Sequence, residues 1–335
     1  MTIIYAILMF CVLIFVHELG HFLAAKASGV KVNQFALGMG PPLLKFGKGE
    51  TEYSLRLFPI GGYCAMEGED EESDDSRAFN NKPAWKKTII VVAGSFMNLL
   101  LAVILMTIVV YHIGTATTTV ASLVKDSPAI EAGIMEGDKI LRIDGHRIKE
   151  WNDVAGAVGS ASSGKVDLVV ERNGKEVELT SSLMKKDGRM MIGITPTLEK
   201  NVGGALRDGP KATWNMTKSM YDILKQLFTG QVSAKELTGP VGIIYMVGET
   251  SKAGMINFFY LMALISLNLA IINMLPLPAL DGGRLLFIIV RKFTGKAITD
   301  EMEGKIQTVG LLLLFALMIY VTWNDILRFI VPIFQ

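Results

Sequence analysis

The chain has 335 residues, half of them hydrophobic and 19% charged, with a formal net charge of +1 and a mean hydropathy of +0.40. That balance excludes a disordered chain, a polycation built for nucleic acid and an ordinary cytosolic enzyme. The two cysteines, Cys11 in an apolar run and Cys64 in a loop, supply neither a disulfide framework nor zinc-ribbon spacing.

The excess apolar residues fall in four runs, the pattern of a polytopic membrane protein with an extramembrane domain. Each is long enough, at about 1.5 Å per residue, to cross about 30 Å of hydrocarbon. The first, residues 3–25, has no basic residue before it and carries two histidines and a glutamate, so it reads as a span rather than a secretory signal. After it, Thr51 to Arg56 alternates like a strand and leads into Pro59, Gly61 and Gly62. A surface hairpin and a functional loop are both open readings of that segment. The acidic run EGEDEESDD at 67–75 reads most simply as a solvated loop.

The second run covers 88–113. Beyond it, from 118 to about 198, the sequence has the pattern of a PDZ domain. SPAIEAGIMEGDKILRIDGHRI gives a turn, a short helix and then a strand alternating Ile140, Arg142 and Asp144, and VDLVVERNGKEVELT gives a hairpin turned at Asn173 and Gly174. Such a domain takes extended peptides by strand addition or serves as a passive spacer. From Lys211 to Phe228 a polar stripe at 211, 215, 218, 222 and 225 lies opposite Trp214, Met220, Tyr221, Ile223, Leu224, Leu227 and Phe228. That predicts an amphipathic helix, lying in the outer membrane interface or packed on the PDZ-like domain.

The third run, 257–275, contains Asn268 and Asn273 and is broken by Pro276 and Pro278; the fourth covers 306–327. Basic residues set the orientation. Lys26, Lys31, Arg77, Lys82, Lys86 and Lys87 lie between spans one and two, and Arg284, Arg291, Lys292, Lys296 and Lys305 between three and four. Both of those segments are therefore expected in the cytoplasm, with both termini and the segment 114–256 outside.

His17, Glu18 and His21 stand in H-E-x-x-H spacing inside the first span. Residues four apart share a helix face, so both imidazoles can reach one metal ion, with Glu18 about 100° around the helix and able to meet water there. With 4 histidines in the chain, chance gives the pattern about 0.003 times. His17 lies roughly 13 Å from the cytoplasmic end, at a depth where ionisable residues are costly and by default functional. A third ligand is needed. His112 and His146 are poorly placed, and Asp281 in NMLPLPALDGG is chemically suitable, although a helix N-cap also accounts for it. Asn273 in the same stretch is either an oxyanion donor or a helix–helix hydrogen bond.

HELGH at 17–21, Gly38 and Gly40, PIGGYCAMEGE at 59–69, AGSFMN at 93–98, GPVGI at 239–243 and NMLPLPALDGG at 273–283 together resemble the site-2 proteases, in family order over nearly the whole chain. The resemblance is to the bacterial branch with a PDZ domain inserted between the second and third spans. It departs in two places: Ser95 stands where that family usually has proline, and there is one PDZ-like domain where some members have two.

The resemblance implies a polytopic α-helical membrane protein of about four spans. Residues 1–114 would form an N-terminal membrane part with a re-entrant β-loop, and 115–200 an extracytoplasmic α+β PDZ domain. An interfacial helix and linker would occupy 201–256 and a C-terminal membrane part 257–335. It further implies zinc held by His17, His21 and Asp281, with Glu18 as general base and acid and Asn273 stabilising the oxyanion. The expected function is intramembrane metalloendopeptidase. Its substrates would be single-span membrane proteins trimmed beforehand, such as anti-sigma factors or remnant signal peptides, and a cytoplasm-side site in the cell membrane would cut them. The expected partners are those substrates, the lipid bilayer and a peptide on the PDZ domain, with no nucleic acid. A zincin acting on soluble proteins at the membrane surface and a non-catalytic PDZ adaptor are the rival readings. Glu18 counts against the adaptor, since metal binding alone does not require it.

Overall fold

The structure is a computed structural model that describes all residues except 48, 70–72, 162, 187, 234–235, 295–298 and 334–335. Part of the acidic run 67–75, and Lys296, therefore lie outside the described residues. The chain forms two compact units, Met1–Val109 with Gly209–Gln335, and Val110–Asp208.

In the first unit α1 is Thr2–Ala27, followed by an antiparallel hairpin of β1 (Val32–Phe46) and β2 (Glu52–Met66), and then by α2 (Ala84–Ile113), which runs on into the second unit. Sequence patterning anticipates only the first residues of β2 and misses β1. The reason is visible in the pairing, whose register shifts repeatedly between Val32 and Leu44 while Gly38 and Gly40 take φ of 90° and 85°. A ladder so often interrupted has no period of two to read. The far half of the hairpin exposes Met39, Leu43, Leu44, Phe46, Leu57 and Phe58.

The chain returns to the first unit in α5 (Val202–Phe228), then α6 (Pro240–Lys252), α7 (Met255–Asn273), α8 (Asp281–Thr294) and α9 (Asp300–Asp325), with a π-helical turn Ile326–Ile330. Four helical stretches, Thr2–Ala27, Ala84–Ile113, Met255–Asn273 and Glu301–Ile330, are long and apolar enough to cross a membrane. The third stops two residues short of the run's end because Pro276 removes a donor and disfavours helix in the residue before it. Ala6, Met9 and Leu13 of α1 pack with Leu105 and Met106 of α2, Val247 of α6 and Phe258, Leu261, Met262 and Ile265 of α7.

α5 divides the apolar side chains named from the sequence between a packed and an exposed side. Ala212, Met216, Met220 and Leu224 pack against buried residues of α2 and α7, whereas Trp214, Tyr221, Ile223 and Phe228 are exposed. Small residues decide this. Gly209 stands so close to Thr107 that a Cβ there would be 2.7 Å from its Cα, and only a glycine permits that approach.

The second unit holds a sheet in the order β10-β3-β4-β6-β7, with β5 paired to β4. Its strands are β3 (Thr115–Leu123), β4 (Lys139–Ile143), β5 (His146–Arg147), β6 (Lys165–Arg172), β7 (Lys175–Ser182) and β10 (Ile194–Glu199). A smaller ribbon pairs β8 (Met184–Lys186) with β9 (Arg189–Met191), and α3 (Pro128–Glu131) and α4 (Trp151–Ser160) complete the unit. Asn173 and Gly174 turn the β6–β7 hairpin with φ of 52° and 74°, the paired positive angles of a type I′ turn. The simple alternation of Ile140, Arg142 and Asp144 is broken by a bulge between Ile140 and Arg142, which brings Ile143 into the core beside Ile140.

Candidate metal centre

α1 and α2 approach closely at Gly20, where a Cβ would stand 2.7 Å from the carbonyl carbon of Ala93. That approach presses one face of α2 onto the two histidines. Nδ1 of His21 donates to the carbonyl of Ile90 at 2.8 Å, so in the neutral ring the proton sits on that side and Nε2 keeps its lone pair. Nδ1 of His17 lies 3.3 Å from the side-chain amide of Asn98, a residue with no exposure at all. Gly94, between these two tethers on α2, leaves the space into which both rings project. A Cβ there would overlap Nε2 of His21 and stand 2.8 Å from Cε1 of His17.

Asp281 opens α8, and its carboxylate meets both rings. Oδ2 is 3.3 Å from Nε2 of His17 and 3.5 Å from Nε2 of His21, and the two Nε2 atoms are 3.2 Å apart. Donors about 2.0–2.1 Å from a tetrahedral zinc are separated by about 3.3–3.4 Å, so this triangle has the size of a zinc site. Asp281 Oδ2 is buried with no hydrogen-bond partner, and a buried carboxylate oxygen beside two imidazole nitrogens is a donor set that suits a cation. His17, His21 and Asp281 are the one such group of His, Cys, Asp and Glu among the described residues.

The broken segment reaches the histidines because its surroundings pin it. Ala279 takes φ of 67° and donates its N–H to Gln307 of α9, and Gly310 of the same helix packs on Pro278, where a Cβ would come 2.9 Å from the proline carbonyl. Arg284, one turn after Asp281, pairs with Glu69 just beyond β2. Gly282 and Gly283 allow α8 to fold back onto residues 274–278 at separations no side chain permits. Asn273, the last residue of α7, places its amide 3.5 Å from Nε2 of His17, at the edge of the triangle.

Glu18 lies on the neighbouring face of α1 against β2. Its carboxylate lies near Cys64 of that strand, and a Cβ on Gly62 would stand 3.3 Å from its Cγ. All five residues singled out from the sequence thus belong to one unit and converge at α1, α7 and the start of α8. His112 and His146 belong to the other unit. Sequence patterning did not single out Gly94, Asn98, Glu69, Arg284 or Gln307. A signal for Asn98 was present, since a polar side chain inside an apolar span is costly without a purpose.

The chain matches the model of peptidase family M50 over residues 5–317. It belongs to this family of site-2 proteases. A protein of Clostridium acetobutylicum provisionally named a zinc metalloprotease is 41% identical over 329 residues, covering 97% of each chain. The regulator of sigma-W protease RasP of Bacillus subtilis is 31% identical over 416 aligned positions, covering 98% of each. A zinc metalloprotease RasP of Geobacillus kaustophilus is likewise 31% identical, with 98% of each covered. Among solved structures, a PDZ domain from Listeria monocytogenes is 27% identical, covers 25% of this chain and 88% of its own, and superposes with a TM-score of 0.21. This M50 protein is accordingly a zinc-dependent metalloendopeptidase of the membrane.

Proposed function

We propose that this M50 protein cuts transmembrane segments of single-span membrane proteins, with zinc held by His17, His21 and Asp281. The observation that carries the reading is the triangle of two imidazole nitrogens and a carboxylate oxygen, 3.2 to 3.5 Å on a side, on an apolar helix long enough to span a membrane. Zinc there supplies a Lewis acid that lowers the pKa of water toward about 7 and polarises a carbonyl. Glu18 takes the proton of the attacking water and passes it to the leaving amine, restoring its carboxylate. The amide of Asn273 donates to the oxyanion of the tetrahedral intermediate.

A helical substrate hides its carbonyls in hydrogen bonds and must be held extended. β2 lies against Glu18 through Gly62 and Cys64, which supports strand pairing of the substrate with the hairpin beside the general base. The apolar far half of that hairpin suits a loop dipping into the bilayer. The distribution of Lys and Arg supports a cytoplasm-side site in the cell membrane with the second unit outside, where its PDZ-like pattern and the edge strand β10 suit a filter that binds chain ends. The sigma-W regulator among the relatives supports anti-sigma factors as substrates, cut after an external protease has removed their bulk, and remnant signal peptides fit the same chemistry.

The experiment is cleavage of a single-span reporter in liposomes. Glu18→Gln is expected to retain zinc and lose cleavage by at least about 10²-fold. Undiminished cleavage overturns the mechanism, and zinc content unchanged in Asp281→Ala overturns the third ligand.

A further inference from the structure

His17 and His21 are held by the same face of α2, by two groups of different kind. For His21 the group is a backbone carbonyl, that of Ile90. For His17 it is the side chain of Asn98, one helical repeat beyond Gly94. The geometry is economical, because the Ile90 carbonyl points toward the C-terminus of α2 while the Asn98 side chain leans toward its N-terminus, so both converge at the level of Gly94. Asn98 is fully buried, and its own backbone carbonyl accepts from Ser266 Oγ of α7 at 2.7 Å, which fixes α2 against α7 at this height.

A histidine that gives its Nε2 lone pair to a metal carries its proton on Nδ1, and that proton needs an acceptor. The atom of Asn98 placed nearest His17 is the amide nitrogen, while the amide oxygen is buried without a partner. Oxygen and nitrogen of a side-chain amide exchange places by a half turn. That turn costs no other hydrogen bond shown for the amide among the described residues, and it sets an acceptor against the Nδ1 proton.

We propose that Asn98 is the positioning residue for His17, its side-chain carbonyl accepting from Nδ1 so that Nε2 is presented to the metal. The inference rests on His17 being a zinc ligand and adds to it the residue that fixes the ring's tautomer and aim.

The test is zinc affinity of the full chain in detergent, measured by competition with a chromophoric chelator. The wild type is expected to bind one zinc, Asn98→Ala to bind it about 10- to 100-fold more weakly, and Asn98→Asp, which keeps an acceptor, to stay within a few-fold of wild type. The melting temperature of the metal-free variants serves as the measure of fold. Zinc bound as tightly by Asn98→Ala as by the wild type, or as weakly by Asn98→Asp as by Asn98→Ala, overturns the positioning role while leaving the ligand assignment intact. A wild type that binds no zinc overturns both.

Nitrogen-15 histidine spectra of the zinc-loaded wild type give an answer even if a variant does not fold. A slowly exchanging proton on Nδ1 of His17 is expected, and a proton on its Nε2 overturns the proposal.

Discussion

Gly94 faces the two histidines so closely that a methyl group on it would overlap Nε2 of His21 and stand 2.8 Å from Cε1 of His17. The space that the rings share is therefore a glycine-shaped notch in α2. Gly94→Ala improves helix propensity by about 1 kcal/mol, yet it fills the volume that a metal and its ligand atoms need. The expected outcome is a folded helical protein with zinc affinity reduced by at least about tenfold and reporter cleavage lost. Zinc titration together with circular dichroism checks it.

The pair between Glu69 and Arg284 joins the end of the hairpin to the helix that carries Asp281. Losing Arg284 removes this tie and leaves α8 less well anchored to the hairpin. Arg284→Ala is expected to lower cleavage about tenfold, and the exchanged pair Glu69→Arg with Arg284→Glu to recover part of it. Reporter cleavage by the two single variants and the double variant measures the coupling.

In the second unit Asp138 is 1% exposed and accepts from Arg172 Nε at 2.8 Å, from Arg172 Nη2 at 2.7 Å and from the backbone of Met135 at 2.9 Å. Burial pushes its pKa up, but the guanidinium and the backbone N–H outweigh burial and hold the carboxyl below its ordinary value. A depressed folded pKa means stability that is fully present above the unfolded value, about 3.9, and lost as pH falls through the lower folded one. Asp138→Asn is expected to destabilise the second unit by about 3 kcal/mol at pH 6, with the difference from wild type shrinking below about pH 4. Hydrogen exchange of β4 and β6 in the full chain reports it.

Asp325 performs a capping role across helices. It is 1% exposed at the end of α9, and its two oxygens accept from the backbone N–H groups of Gly239 at 3.1 Å and Gly242 at 2.8 Å, at the start of α6. Asp325→Ala leaves those donors buried and unpaired, at a cost of about 1–3 kcal/mol. A lower melting temperature in detergent is expected, and an unchanged one would remove the cap from the account of stability.

The parts of the fold that were legible in the sequence are those set by local pattern: four apolar runs long enough to be spans, the H-E-x-x-H spacing, and a helix stopped by Pro276 and Pro278. The Asn173–Gly174 turn was legible for the same reason, since its backbone angles demand those residue types. What escaped depends on neighbours far away in the chain. β1 keeps no period because its register slips at several points, and α5 turns inward the side where Gly209 and Ala212 are small rather than the side where Trp214 and Tyr221 are greasy. Asn98 and Gly94 could be quoted as letters of a family pattern, but their purpose appears only when α2 is laid against the histidines of α1.

Asn273 and His17 meet although they stand 256 positions apart, and the loop that follows Asn273 is pinned by Gln307 and Gly310 of α9. Synthesis from the N-terminus therefore produces His17 and His21 well before Asn273, Asp281 and the helix that holds their loop. On the proposed assignment of the site, a chain that has inserted α1 and α2 but not α9 holds two histidines without the segment that completes their triangle.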